Sequence, residues 1–282
     1  MGPLDQNVKD QLERYLIELE TKLDCDVMSI IGPILPGLET VVRDAIEALH
    51  QKRSCLAIVL DTPGGVVEVV ERIVNAIRYH YSEVTFIVPN RAMSAGTVFV
   101  MSGDRVMMDY FSCLGPIDPQ IEKEGKLVPA LSYLEQFYRL NEKARAGELT
   151  TAEYALLSKL DLGELYQFEQ ARDLSIELLK KWLSTYWFKD WVKTETRGLT
   201  VDAETKEKRA EQIAEALNKP ERWHSHGRGI NKKTLTEELG LRINDLSEVE
   251  GLKDIVTKYF ELLQDYVLRQ QLWPFVHTKA YF

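Results

Sequence analysis

The segment CLAIVLDTPGG, residues 55–65, decides the fold of this chain. Its first six residues are apolar without interruption, and the chain then turns through Asp-Thr-Pro-Gly-Gly. A continuous apolar run that ends in a glycine turn is typical of a strand buried on both faces of a parallel sheet. Residues 55–65 therefore predict one central strand of an α/β domain.

The flanking segments alternate between helix and strand patterns. Apolar residues recur at helical spacing in residues 5–23, 37–52 and 66–82, and short apolar runs occupy residues 25–34 and 83–90. Alternation of this kind favours a parallel sheet covered by helices. The fold class that we predict is therefore α/β, with a parallel β core.

From about residue 130 the chain becomes charged and helical in pattern. We predict three regions: an N-terminal helix over residues 1–24, the α/β core over residues 25–180, and a helical C-terminal extension over residues 181–282. An extended helical segment with aromatic residues at helical spacing suits an oligomerisation arm. We therefore expect a homo-oligomer.

Composition excludes several classes of function. The 35 Lys and Arg residues are outnumbered by 44 Asp and Glu, giving a net charge of −9, which argues against nucleic acid as a partner. The sequence contains neither an apolar run long enough to span a membrane nor a signal-peptide pattern at its start. Three widely spaced cysteines predict no disulfide framework and no zinc site, so we expect a cytoplasmic protein.

Gly64 and Gly65 follow the buried strand and precede a helix. A glycine pair at such a junction can direct backbone N–H groups into a cleft, where they bind a phosphate or a developing oxyanion. The segment has no GxGxxG pattern and no GKS or GKT, so a nucleotide site is disfavoured. The alternative is a glycine turn that only links strand to helix.

Ser94 begins a helical segment thirty residues after Gly64. Adjacent parallel strands would bring both junctions to one edge of the sheet, where open α/β sheets keep their sites. The small residues Ala95 and Gly96 leave room for a substrate backbone. Ser94 is therefore a candidate nucleophile, and the alternative is an ordinary helix N-cap.

Three motifs resemble those of the ClpP/crotonase superfamily of serine peptidases: LDTPGG at residues 60–65, MSAGT at 93–97 and LGPID at 114–118. The resemblance covers roughly residues 25–125 and is closest to the signal-peptide-peptidase-like branch and its serine dehydrogenase proteinase relatives. It implies a ClpP/crotonase-like fold in which Ser94 is the nucleophile. It also implies an oxyanion hole formed at Gly64 and Gly65 with the N–H of Ala95.

The general base is less well defined by the resemblance. In the Clp protease branch a histidine follows the serine where this chain has Asp118, so a triad with histidine at that position is excluded. The signal-peptide-peptidase branch uses a lysine farther downstream, and Lys143, 49 residues after Ser94, is the best placed. The rival base is His226 in the segment RWHSHGRG, provided that the C-terminal region folds over the cleft.

Asp118 and Arg228 are candidate substrate-binding residues, Arg228 because its guanidinium would suit a substrate carboxylate. His224 and His226 form a His-x-His pair, but no third metal ligand is evident, so we predict no metal and no cofactor.

The leading hypothesis is a serine endopeptidase that cleaves peptides or unfolded protein segments through an acyl-enzyme, with a serine–lysine dyad favoured over serine–histidine. One alternative is a crotonase-like acyl-CoA enzyme that uses the same oxyanion site. Another is an inactive scaffold that keeps the fold without its base.

Overall fold

The computed structural model describes residues 2–123, 126–194 and 198–282. Its α-helices, α1 to α11 in chain order, are Pro3–Leu23, Leu38–Glu47, Val67–His80, Ala95–Val100, Ala130–Ala146, Thr151–Leu157, Leu162–Trp182, Ala203–Leu217, Pro220–Trp223, Lys232–Glu237 and Leu252–Gln270. Within these ranges no helix combines the length and the apolar character needed to cross a lipid bilayer.

The β-strands, β1 to β11 in chain order, are Asp26–Ile31, Cys55–Asp61, Glu83–Val88, Arg91–Ala92, Arg105–Met108, Cys113–Leu114, Gln120–Lys123, Lys126–Pro129, Ile230–Asn231, Ile243–Asp245 and Phe275–His277. Strands β7 and β8 form a separate antiparallel hairpin.

The central sheet has six strands in the order β10-β5-β3-β2-β1-β11. All neighbours are parallel except β11, which is antiparallel to β1. The strand predicted from residues 55–65 is β2, with β1 and β3 on either side of it. The predicted α/β fold with a parallel core is confirmed.

Helices cover both faces of this sheet, which explains why β2 is apolar along its whole length. Ile58 and Leu60 face a core that includes α2 and α3. Ala57 and Val59 face the opposite core, which includes α1 and α11. Because successive side chains of a strand point to opposite faces, a sheet covered on both sides needs apolar residues at every position.

A second, three-stranded sheet lies at the carboxyl edge of the central one, in the order β4-β6-β9. Strand β4 is parallel to β6, and β6 is antiparallel to β9. A bridge between Thr62 and Ala92 joins β4 to the chain that leaves β2. This small sheet brings the segments after β2, β3 and β5 together with residues from the C-terminal part of the chain.

The segment that we expected to be a helical extension, residues 181–282, contributes strands to both sheets. Strand β10 pairs with β5, and β11 pairs with β1, so the two edges of the central sheet come from the C-terminal region. Helix α11 packs along α1. The C-terminal region thus closes the core and supplies part of the second sheet.

The expectation of no disulfide is wrong, because Cys25 and Cys55 form one. Their Cα atoms are 4.8 Å apart, since the two residues stand side by side where β1 and β2 begin. Sequence spacing gives no signal for such a pair, because its proximity depends on strand register. Cys113 is a free thiol.

Candidate active site

Ser94 lies between β4 and α4 in a strained backbone conformation, with φ 52° and ψ −120°. A non-glycine residue with positive φ is uncommon, and such strain concentrates at functional sites. Its side chain is half-buried and makes no capping hydrogen bond to the helix. The N-cap alternative is therefore not supported, and the Ser94 hydroxyl has no hydrogen-bond partner within the described ranges.

Gly64 lies directly against Ser94. A Cβ on Gly64 would come within 2.8 Å of the Ser94 Cβ and 2.6 Å of the Met93 carbonyl oxygen. Its φ of 100° is also a conformation that favours glycine. Only glycine therefore allows this close approach between the turn after β2 and the nucleophile.

The expected role of Gly64 as an oxyanion donor needs correction. Its N–H donates to the buried Thr62 Oγ1 at 3.0 Å, so this donor is already occupied. The N–H groups of Gly65 and Ala95, in contrast, have no acceptor in the part of the chain that the structure describes. Gly65 is exposed and Ala95 is the first residue of α4, so two unpaired donors flank Ser94.

Asp118 and His226 form a hydrogen bond of 2.9 Å between Asp118 Oδ1 and His226 Nδ1. The Asp118 side chain is 3% exposed and that of His226 is 20% exposed. Strands β6 and β9 pair Leu114 with Ile230, four residues from each member of the pair, and so bring the two segments together. Both residues are candidates from the sequence, but their pairing could not be predicted from it.

The same small sheet relates this pair to Ser94. Strand β4 ends two residues before Ser94 and is the parallel neighbour of β6, which leads to Asp118. The Thr97 hydroxyl, one turn beyond Ser94, donates to the carbonyl oxygen of Gly115 at 2.9 Å. Ser94, Asp118 and His226 therefore belong to three neighbouring segments at one edge of the molecule.

Lys143 lies elsewhere, on α5, in an ion pair with Glu153 at 2.5 Å. The Lys143 side chain is 41% exposed, and no hydrogen bond or ion pair within the described ranges joins it to Ser94. The ion pair with Lys143 and hydrogen bonds from Thr150 lower the pKa of Glu153 to about 2. The Lys143 Nζ is thus occupied by the Glu153 carboxylate.

Arg228 lies on the exposed part of the His226 loop, where its guanidinium donates to the Trp223 carbonyl oxygen at 3.3 Å. It remains a candidate for binding a substrate carboxylate. His224, two residues before His226, is exposed and has a positive φ of 63°. Among residues 2–123, 126–194 and 198–282 no group of three His, Cys, Asp or Glu side chains is placed to hold a metal ion.

Sequence reasoning missed the two polar residues that end β2. Thr62 is fully buried. Its N–H donates to the Arg91 carbonyl oxygen and its carbonyl oxygen accepts from the Met93 N–H, both at 3.0 Å. Its hydroxyl oxygen accepts from the Gly64 N–H. The carboxylate of Asp61 accepts from Asn90 Nδ2 at 3.0 Å, and burial raises the pKa of Asp61. Polar residues that follow an apolar strand directly, at its carboxyl end, were the available signal.

One cleft of the described surface lies away from this edge. A cleft of about 500 Å³, lined by residues 48–53 with Lys279 and Ala280, lies where β1 and β2 begin. Ser94 is not among its lining residues. The candidate active site therefore rests on the chemistry of its residues and not on cavity volume.

The comparison with protein families gives a match to one family. The family model described as ClpP-like SDH-type serine proteinase matches residues 38–201, which is more than half of the chain. The matched range includes Gly64, Gly65, Ser94 and Asp118, but it ends before His226.

Two uncharacterized proteins of Methanocaldococcus jannaschii are similar in sequence. One is 30% identical over 141 residues, covering 48% of this chain and 46% of the relative. The other is 35% identical over 138 residues, covering 43% of this chain and 48% of the relative. The aligned part is thus about half the length of each of these relatives.

Two solved structures of a membrane-bound stomatin-specific protease, both of mutants, are also similar. The first has a TM-score of 0.47 and 14% identity and covers 79% of this chain and 80% of the other. The second, in complex with a substrate peptide, has a TM-score of 0.45 and 16% identity and covers 77% and 73%.

Proposed function

The chain belongs to the family of ClpP-like SDH-type serine proteinases, and from this premise we propose that it hydrolyses peptide bonds through an acyl-enzyme on Ser94. The observation that carries the proposal is the Asp118–His226 hydrogen bond of 2.9 Å, on segments that neighbour the nucleophile. The proposed base is His226 and not Lys143. Its substrates would be peptides or unfolded protein segments.

In the proposed reaction, Ser94 Oγ attacks the carbonyl carbon of the peptide bond while His226 Nε2 accepts the hydroxyl proton. This step requires Nε2 to come within hydrogen-bond reach of Oγ when the peptide binds. The carbonyl oxygen becomes an oxyanion that accepts hydrogen bonds from the N–H groups of Gly65 and Ala95. When the C–N bond breaks, the leaving amine takes the proton from His226, and a water molecule then hydrolyses the ester by the same steps.

Asp118 has a positioning role in this proposal. Its carboxylate accepts a hydrogen bond from the Nδ1–H of His226, which fixes the tautomer whose Nε2 is free to accept a proton. Its 3% exposure removes competition from water for that bond. Asp118 would also stabilise the imidazolium ion that forms during each proton transfer.

A serine–lysine dyad through Lys143 is disfavoured on two grounds. The Lys143 Nζ is ion-paired with Glu153, and its side chain is 41% exposed, whereas a lysine base requires burial. Lys143 also lies just ahead of α6, whose N-terminal capping box uses the same Glu153. We therefore assign the Lys143–Glu153 pair a structural role.

The test is covalent labelling of the serine by a fluorophosphonate probe. We expect the wild-type protein to be labelled and Ser94→Ala not to be. His226→Ala should slow labelling by about 100-fold or more, and Asp118→Asn by about 10-fold or more, because general-base assistance contributes factors of this size. Lys143→Ala should be labelled at the wild-type rate.

The matched control for His226→Ala is His224→Asn, which changes an exposed histidine of the same loop and keeps a residue that tolerates positive φ. Loss of labelling in Lys143→Ala with normal labelling in His226→Ala would establish the lysine dyad instead. Absence of labelling in the wild-type protein would favour the inactive scaffold. Turnover of an acyl-CoA by Ser94→Ala would favour the crotonase-like alternative. Homo-oligomer formation and a cytoplasmic location stay predictions.

A further inference from the structure

We propose that Trp273 and Leu35 form an apolar subsite for the substrate, which binds a large apolar side chain about three residues from the cleaved bond. This inference rests on the proposed peptidase function and names the class of peptide that it would prefer.

The indole of Trp273 lies against the backbone of Gly32, just beyond the end of β1. A Cβ on Gly32 would come within 3.1 Å of Trp273 Cζ3 and closer still to Cε3. Gly32 also has a φ of 108°, so glycine is required both for the turn and for the indole. Strand β11 pairs Phe275 with Ile31, which sets Trp273 at the carboxyl end of β1. That is the sheet edge at which Gly65 follows β2.

The segment from Gly32 to Ile34 links Trp273 to Gly65 in space. Two hydrogen bonds of 2.9 Å, one before and one after Gly65, hold Ile34 beside it in a parallel bridge. Ile34 itself is buried, and the next residue, Leu35, is 44% exposed. Exposed apolar side chains therefore stand on both sides of Ile34: Leu35 directly follows it, and Trp273 contacts Gly32, two residues before it.

Trp273 differs from the other tryptophans in its exposure. The chain has five, all in the described ranges, and Trp273 is the most exposed of them at 41%. Trp182 and Trp223 are buried in the core. An exposed indole and an exposed leucine near the end of one strand are features of a recognition surface, because covering them with an apolar side chain is favourable.

The dimensions match an extended peptide. From the turn after β2 to the start of β11 is two strand spacings, about 10 Å in total. An extended peptide advances about 3.3 Å per residue, so its third residue from the scissile bond would reach Trp273. The subsite therefore binds a leucine-like side chain of the substrate at this distance, on the side of the cleaved bond that faces Gly65.

The experiment uses a series of quenched peptide substrates in which leucine or serine is placed three or four residues from the cleaved bond, on either side. For the wild-type protein, leucine should raise kcat/KM about 10-fold or more over serine at one of these positions. Trp273→Ala should reduce that preference to about twofold or less. Fluorophosphonate labelling of Ser94 in Trp273→Ala should stay at the wild-type rate, because the small probe does not reach the subsite.

Tyr79→Ala is the matched control, since Tyr79 is an aromatic residue 85% exposed at the far end of α3. It should keep the leucine preference. A preference that is unchanged in Trp273→Ala, with Ser94 still labelled, would overturn the subsite and leave the peptidase function standing. An unchanged preference with an altered oligomeric state would instead assign Trp273 to a subunit contact.

A binding measurement separates the two proposals further. The Ser94→Ala protein should show a change in tryptophan fluorescence with the leucine peptide and a smaller one with the serine peptide. Replacement of Trp273 by Phe should remove the difference. Wild-type protein that is never labelled would defeat the peptidase proposal, whereas leucine-dependent binding that requires Trp273 would still support a peptide subsite.

Discussion

Ser94 adopts a backbone conformation with positive φ that its neighbours must hold in place. Thr62 makes most of the contacts that can do so: its main chain hydrogen-bonds to residues on both sides of Ala92, and its hydroxyl accepts the N–H of Gly64. One buried residue thus connects the turn that carries the proposed Gly65 donor to the segment that carries the proposed nucleophile. By occupying the Gly64 N–H, Thr62 also leaves the Gly65 N–H as the free donor.

Thr62→Val should lower the acylation rate of Ser94. The substitution keeps the shape of the side chain but removes the acceptor for the Gly64 N–H, so the adjacent donor loses its alignment. We expect kcat to fall about 10-fold or more with little change in KM, because oxyanion contacts act mainly in the transition state. Thr62→Ser, which restores the hydroxyl, should recover most of the rate.

The control for Thr62→Val is Ser29→Ala, which removes another buried hydroxyl, the one 2.6 Å from Tyr259 Oη. Both variants should lose stability, and only Thr62→Val should lose acylation rate. Equal rates in the two variants would show that Thr62 has no role beyond stability.

At the level of elements, the pairing of β6 with β9 brings His226 to Asp118. The two strands are short, and their backbones approach each other closely at Gly229. A Cβ on Gly229 would lie 2.9 Å from Cys113 Sγ and 3.0 Å from Cys113 Cβ. Gly229 is not among the residues with positive φ, so space and not conformation requires glycine here. A larger residue must therefore push the two strands apart.

Gly229→Val should separate β9 from β6 and displace His226 from Asp118. We expect fluorophosphonate labelling to slow by about 10-fold or more, as general-base assistance weakens. The second-site change Cys113→Gly removes both clashing atoms and should restore part of the rate. Failure of the suppressor, or normal labelling in Gly229→Val, would argue against the β6–β9 register as the source of the His226 position.

Elements with a long hydrophobic period were predictable from the sequence, and short strands were not. Helix α1 and strand β2 follow directly from their patterns. Burial of one helical stripe leaves a clear period in the sequence, and burial of both strand faces leaves a continuous apolar run. Strands β9, β10 and β11 have two or three residues, which is too short for any period.

The candidate site was predictable only where its residues lie beside long sequence patterns. Ser94 and Gly65 lie beside strong strand patterns, so the proposed nucleophile and one proposed donor could be named from the sequence. Asp118 and His226 are 108 residues apart, and their pairing depends on the register of two-residue strands. Lys143 was favoured by its distance from Ser94 along the chain, which carries no information about its ion pair with Glu153.

On the scale of the whole molecule, the two ends of the chain are joined. Helix α1 packs on α11, and β11 pairs with β1. At the centre of this contact the Tyr259 hydroxyl forms a hydrogen bond of 2.8 Å with His277 Nδ1 and lies 2.6 Å from Ser29 Oγ, and all three side chains are buried. These three residues connect β1, α11 and β11, so the neutral form of one imidazole supports the closure of the chain.

This closure should weaken in acid because of His277. Burial, with a smaller contribution from Lys9 on α1, lowers the pKa of His277 from 6.5 to about 4. The unfolded chain therefore binds a proton at a higher pH than the folded one, so stability is complete above pH 6.5 and is lost as the pH falls toward 4. The loss from this group is about 3 kcal/mol across that window.

His277→Gln removes the titrating group, so the dependence of unfolding free energy on pH should become shallower by about that amount between pH 6.5 and 4. Urea unfolding at several pH values in this range measures it. His50→Gln, at an exposed histidine outside the contact, should keep the wild-type slope. Equal slopes in His277→Gln and wild type would mean that the acid sensitivity comes from other groups, and the joined ends would then owe their stability to packing between α1 and α11 alone.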